Sequence, residues 1–192
     1  MSYGFYFNAD KCIGCRTCEI TCKEKNDLEG GVVFRHVISL EHGVYPTAGL
    51  LHYSTSCHFC TDPGCLKACP MEAIMQTEEG VVLYDSTRCI ACLSCAKACP
   101  FKVPQLSVQF KVAMKCNSCI DLRAQGRSPA CVESCHMRCL DFGDTDQMRT
   151  KYGTLEGEGG LFQEDLVASP THPSTIIVQK RFIGESPKQV LL

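Results

Sequence analysis

The sequence predicts an α+β chain of two small cysteine-rich modules in tandem, one inserted in the other, with an irregular C-terminal tail. Three observations predict it. Sixteen of the seventeen cysteines fall into four tetrads: Cys12, Cys15, Cys18 and Cys22; Cys57, Cys60, Cys65 and Cys69; Cys89, Cys92, Cys95 and Cys99; and Cys116, Cys119, Cys131 and Cys135. The two middle tetrads stand in an internal repeat over residues 57–103, whose halves carry Cys69-Pro70 and Cys99-Pro100 in equivalent places. Short apolar runs lie between the tetrads at strand length, and none reaches the roughly 18 consecutive apolar residues of a membrane span.

The elements follow in order. Tyr3, Phe5 and Phe7 alternate as a half-buried strand does on entering the loop at Asp10-Lys11-Cys12. A helical turn holding Cys22 is expected to end at Gly30-Gly31, and residues 32–40 read as a strand. Residues 41–56, with Gly43, Pro46 and Gly49, read as an irregular connection. Within the repeat, residues 81–84 form a strand, and the proline after Cys69 or Cys99 turns the chain so that the thiol points away from its own loop. After the last tetrad, residues 145–151 read as one short helix, 153–160 as a linker rich in glycine and glutamate, and 176–178 as one strand after a proline-interrupted stretch. Such a tail has little to pack on within its own domain, so it is expected to lie across a partner.

The first and third tetrads have the spacing C-x2-C-x2-C-x3-C. By this spacing a short loop wraps three thiolates around one iron–sulfur cubane, while the fourth reaches a neighbouring cluster. A disulfide framework suits much shorter secreted chains, and no signal peptide opens this one. Zinc competes better, but its sites use separated C-x2-C knuckles, and four cysteines within eleven residues crowd a single tetrahedral ion. Four tetrads therefore imply four 4Fe–4S clusters, with folding coupled to their insertion. The net charge of −2 gives no reason to expect nucleic acid as a partner. Lys11, Arg16, Arg88, Lys97, Lys102 and Lys115 recur beside the tetrads, either raising cluster potentials or lying on a solvated face. No nucleophile elbow, phosphate-binding glycine loop or H-E-x-x-H helix offers an independent active site, so the chain is expected not to be an enzyme by itself.

The segment 57–103 is very similar to a bacterial two-cluster ferredoxin. By the crossed-ligand rule of such modules, Cys57, Cys60 and Cys65 share a cluster with Cys99, and Cys89, Cys92 and Cys95 share one with Cys69. The outer tetrads, in residues 1–56 and 104–150, form a second ferredoxin-like module: Cys12, Cys15 and Cys18 with Cys135, and Cys116, Cys119 and Cys131 with Cys22. Neither Cys22 nor Cys135 is followed by proline; Lys23 and His136 stand there.

The order of the tetrads and the runs Cys12-Ile13-Gly14-Cys15-Arg16-Thr17-Cys18, Cys57-His58-Phe59-Cys60-Thr61-Asp62-Pro63-Gly64-Cys65 and Cys131-Val132-Glu133-Ser134-Cys135 resemble the iron–sulfur subunit of the dimethyl sulfoxide reductase family. The resemblance covers residues 3 to about 150 and, loosely, the tail at 151–192. It implies an electron carrier set between a molybdopterin catalytic subunit and an integral, quinone-reactive membrane anchor, attached to the membrane only through partners, on the cytoplasmic face or exported with a signal-bearing catalytic subunit. The alternative is a soluble polyferredoxin-type donor to a cytoplasmic oxidoreductase. Residues 140–144 resemble the segment that closes the outer module. Cysteine at position 89, where some relatives have a non-ligating residue, implies a full 4Fe–4S cluster. Cys139 reads as a small buried side chain of the outer module rather than a ligand, and His136 as a neighbouring contact.

Overall fold

The computed structural model describes residues 2–152, 169–178 and 188–190, and among these it shows short helices and four small sheets. Strand β1 (Tyr3–Asn8) leads into helix α1 (Thr17–Lys25), which places Cys18 and Cys22 four residues apart on one buried face. The helix ends well before Gly30-Gly31, because the Asn26 side chain donates to the Cys22 carbonyl at 2.7 Å and closes the last turn. Residues 32–35 are not strand. The Gln105 amide there bonds both backbone groups of Val33, at 2.9 and 3.0 Å, in place of a strand partner.

Strand β2 (His36–His42) then turns back as β3 (Gly49–Thr55), antiparallel in full register from His36 opposite Thr55 to His42 opposite Gly49. The expected irregular connection is therefore confined to the turn at 43–48. Leu51 and Tyr53 alternate into the core, and this period-two pattern decides the matter over the neighbouring turn residues.

In the repeat, the single-turn helix α2 (Gly64–Lys67), the hairpin β4 (Ile74–Gln76) and β5 (Val82–Tyr84), and α3 (Ser94–Ala98) follow one another, with α2 packed on α3. Gly64 permits that approach, since a Cβ there would come within 2.8 Å of the Ala98 carbonyl oxygen. A hairpin not foreseen in the sequence, β6 (Gln105–Ser107) with β7 (Val112–Met114), delivers the chain to Lys115 and Cys116. Single turns α4 (Ile120–Arg123) and α5 (Ala130–Glu133) follow, α5 lying on α1, and then β8 (Leu140–Asp144) and α6 (Thr145–Tyr152).

Strand β1 is the middle of a sheet, antiparallel to β8 and parallel to β9 (Ile176–Val178). Burial on both faces follows: Phe5 and Phe7 enter the main core, while Tyr6 packs with Met148 and Val178 beneath α6. The last described strand, β10 (Lys188–Val190), lies antiparallel on β2.

The expectation that the tail has little to pack on in its own domain is corrected for residues 169–178. Backbone N–H groups of Thr61 and Asp62 donate to the carbonyls of His172 and Thr171, Ser174 donates to His58, and Ala9 donates to Val178. The unpaired edge of β1 is what the tail satisfies. Gly4 allows it, since any Cβ at this position would run into the Ser174 carbonyl. The linker at 153–160 lies outside the described residues.

Candidate metal centres

All four tetrads begin with the same local conformation. The residue before the second cysteine has a left-handed backbone in each: Gly14 (φ 69°), Phe59 (φ 46°), Ala91 (φ 57°) and Ser118 (φ 58°). Three of the four are not glycine, so each accepts a strain of about 1–2 kcal/mol to curl the loop around its sulfurs. The curl turns backbone donors inward, and the Ser118 N–H reaches Cys116 Sγ at 3.4 Å. A second left-handed residue stands three positions after the closing cysteine, at Glu72 (φ 49°), Lys102 (φ 51°) and Arg138 (φ 49°). The chain after Cys135 thus turns as it does after Cys69 and Cys99, with His136 in place of proline.

These turns bring the cysteines into groups. Cys12, Cys15, Cys18 and Cys135 line one space, Cys57, Cys60, Cys65 and Cys99 another, and Cys69, Cys89, Cys92 and Cys95 a third. Cys22, Cys116, Cys119 and Cys131 form the fourth group, close enough that their charges disfavour one another's ionisation. Among the described residues, no three His, Cys, Asp or Glu side chains converge tightly enough to hold a single metal ion. Four thiols grouped in this way, three from one loop and one from another, fit the ligand set of a 4Fe–4S cluster.

Burial, reinforced by the neighbouring sulfurs, pushes the Cys22 and Cys65 thiols up to about 12 and the Cys60 thiol to about 11, and it carries Cys116 well above the usual range. Such thiols ionise only beside a cation, so loading the cages releases protons. Cys139 lines the Cys12 cage, with its sulfur 3.4 Å from Cys135 Sγ. Its thiol donates a hydrogen bond to Cys12, which lowers Cys12 to about 7 and raises Cys139 itself. It is buried, as the sequence suggested, and in direct contact with the cage.

Of the six cations flanking the tetrads, only Lys115 is buried; Lys11, Arg88, Lys97 and Lys102 are exposed and Arg16 is half-buried. The sequence reading missed Arg35, Ser54 and Ser56. Arg35 donates to Ser54 Oγ at 3.1 Å and to Ser56 Oγ at 2.9 Å, and its guanidinium lies 4.3 Å from the Phe5 ring centre. Nothing in the residue spacing signals it. His58, also buried, is kept neutral at neutral pH: burial, aided by the Arg35 charge, lowers it to about 3. It bonds Thr175 Oγ1 at 2.8 Å, which ties the tail to the second tetrad.

Thiolate cages of this kind on a mixed α/β scaffold define a protein that binds several iron–sulfur clusters. Residues 49–145 match the family described as 4Fe-4S dicluster domain. The chain is 40% identical over 161 residues to the B subunit of the anaerobic dimethyl sulfoxide reductase of Escherichia coli K12, covering 80% of this chain and 78% of that one. It is 35% identical over 189 residues to the same subunit from Haemophilus influenzae, covering 94% and 90%. It is 38% identical over 149 residues to the thiosulfate reductase electron transfer subunit PhsB of Salmonella typhi, covering 76% and 77%. The chain belongs to the iron–sulfur subunits of the dimethyl sulfoxide reductase family: it binds 4Fe–4S clusters and is an electron-transfer subunit, not a catalytic one.

Proposed function

We propose that this chain holds four 4Fe–4S clusters and relays electrons between a molybdopterin catalytic subunit and a quinone-reactive membrane anchor. The carrying observation is the make-up of the cages: each draws three thiols from one tetrad and its fourth from another. On this reading residues 57–103 form a ferredoxin-like module inserted between the halves of a second one. One-electron chemistry belongs to the clusters when bound. The chain's own residues set their spacing, exclude water from them and place charge beside them.

Electrostatic neighbours support a linear order. Cys18 feels Cys131 of the fourth cage, Cys116 of that cage feels Cys57, and the Cys57 and Cys89 cages share Pro104 and Lys115 in their walls. The Cys12 and Cys89 cages then stand at the two ends. Exposed apolar residues edge both, Ile13 (59% exposed) and Met137 at one, Ile90 (60% exposed) and Met71 at the other. Such rims suit subunit contacts through which electrons enter and leave, the Cys12 end toward the molybdopterin subunit and the Cys89 end toward the anchor. The names of the relatives, reductase subunits and an electron transfer subunit, support the same assembly. Among the described residues no helix is long and apolar enough to cross a membrane, so attachment runs through the partners.

Anaerobically prepared protein is expected to hold about sixteen iron and sixteen sulfide atoms, four for each cubane, and to co-purify from detergent-solubilised membranes with a molybdopterin subunit. Zinc without sulfide would end the relay reading. A stable monomer in cells, with iron but no such partner, would replace it with the soluble polyferredoxin.

A further inference from the structure

Two cations are enclosed in this chain, and among the described residues neither has a carboxylate partner. Arg35 and Lys115 are each 2% exposed, and neither joins any ion pair among the described residues. A buried charge is strongly destabilising unless an opposite charge offsets it. Here the groups of opposite sign within reach are sulfurs, the thiols standing for the thiolates they become when clusters bind. For Arg35, burial opposes the charge, and Cys131, Cys18, Cys116 and Cys22 more than offset that opposition.

The hydrogen bonds show how the charge is delivered. An ammonium has three donors and no acceptor, and Lys115 Nζ has three acceptors: the Val82 carbonyl, the Cys116 carbonyl at 3.1 Å and Cys57 Sγ at 3.7 Å. No donor is left for water. Lys115 also lines the Cys89 cage and directly precedes Cys116 of a third. A guanidinium likewise only donates. Arg35 Nη1 therefore gives its proton to Ser54 Oγ, 3.4 Å from Cys18 Sγ, and once that sulfur is a thiolate, which can only accept, the Ser54 hydroxyl is the donor between them. Among the described residues the Arg35 Nε has no hydrogen-bond partner.

We propose that Lys115 and Arg35 are the internal counter-charges of the cluster relay, Lys115 acting on the cluster held by Cys57 through an N–H to sulfur bond and Arg35 on the cluster held by Cys18 through the Ser54 hydroxyl. Each one-electron reduction adds a negative charge beside a fixed cation, and the sulfur that accepts the hydrogen bond carries part of it. Both effects favour the reduced state and raise the potential. The proposal rests on the four-cluster reading. Both are positioning residues, since neither is itself a ligand.

The test is a redox titration, followed by paramagnetic resonance, of the full chain in its complex. In Lys115→Met the reduced-to-oxidised ratio of the Cys57 cluster at fixed potential is expected to fall at least tenfold, about 59 mV for a one-electron couple. Lys115→Arg is expected to retain most of the wild-type value. Ser54→Ala, a small change that leaves the Arg35 charge in place, is expected to lower the Cys18 cluster by less and leave the Cys57 cluster where it was. Loss of the Cys57 cluster in Lys115→Met but not in Lys115→Arg would support the same counter-charge role; loss in both would make the residue a packing element and overturn it. A wild-type protein without four clusters would remove the relay reading and this proposal with it. Four clusters with unmoved potentials in Lys115→Met and Ser54→Ala would overturn this proposal alone.

Discussion

Cys99 and Cys139 mark the difference between a sulfur that completes a cage and one that lies against it. Cys99 closes the space begun by Cys57, Cys60 and Cys65, although it is more than thirty residues away in the chain. Cys99→Ser is expected to perturb the paramagnetic signal of that cluster and leave the one held by Cys69, Cys89, Cys92 and Cys95 intact; a disturbance that tracked the Cys89 group would refute crossed ligation. Cys139 is a fifth sulfur at a cage that already has four, and its thiol donates to Cys12. Cys139→Ala is expected to keep the full iron and sulfide content, and loss of about four iron atoms would make Cys139 a ligand. At this scale the cysteines were legible because C-x2-C-x2-C ties neighbouring thiols to one short loop. Arg35 was not, because a buried cation acquires meaning only from what folds around it, and Ser54 reaches Cys18 across 36 positions.

Among the elements, α6 is held by side chains. The Asp144 carboxylate accepts the N–H groups of Asp146 and Gln147 at 3.1 and 3.0 Å and caps the first turn. At the other end Asp141 accepts from the Tyr152 hydroxyl at 2.6 Å and from Lys151 at 3.0 Å, and Tyr152 stacks on Tyr6 at 3.8 Å. Burial alone would raise the Asp141 carboxyl, but these two donors together hold it below its ordinary value. A carboxylate lowered on folding contributes stability in full above its unfolded pKa, about 3.9, and that stability is lost as pH falls through the folded value. Asp141→Asn is expected to cost roughly 1 kcal/mol at neutral pH, seen as faster amide exchange along α6, with the wild-type advantage fading below about pH 4.

The strand at 176–178 was readable from its apolar run, but its partner was not, because parallel pairing to β1 joins residues about 170 positions apart. Likewise β3 was hidden by Gly43, Pro46 and Gly49, whose turn propensity is real but local. The consequence for the tail is specific. Deleting residues 169–192 is expected to expose the β1 edge and release the Thr61-Asp62 loop between Cys60 and Cys65 of the second tetrad. Cluster content should fall along with subunit association. Full iron content in the truncated chain, with partners lost, would return these residues to the role of a strap on a neighbour.

At the scale of the whole molecule, the core is built around the cages. Cys18, Cys22, Cys57, Cys116, Cys131 and Cys135 belong to the same buried cluster as Phe5, Phe7, Phe59 and Val81, so hydrocarbon closes on sulfur where an ordinary domain closes on hydrocarbon. Removing clusters would leave thiol-lined hollows, two buried cations, and thiols that burial drives toward the protonated state. Each of these opposes the compact chain, and a domain of this size has little stability to spare. Clusters therefore act as folding ligands, their binding free energy being folding free energy. Stripping iron with a chelator under reducing conditions is expected to abolish cooperative unfolding and amide protection in β1, β8 and α1 together, and to restore them together on reconstitution. Because the buried thiols must lose protons to load, with Cys60 near 11 and Cys22 and Cys65 near 12 when free, the yield of reconstitution should rise with pH from about 7 toward 9. A stripped chain that kept a sharp unfolding transition would show that the polypeptide packs without its clusters, and the coupling of fold to cofactor would be discarded.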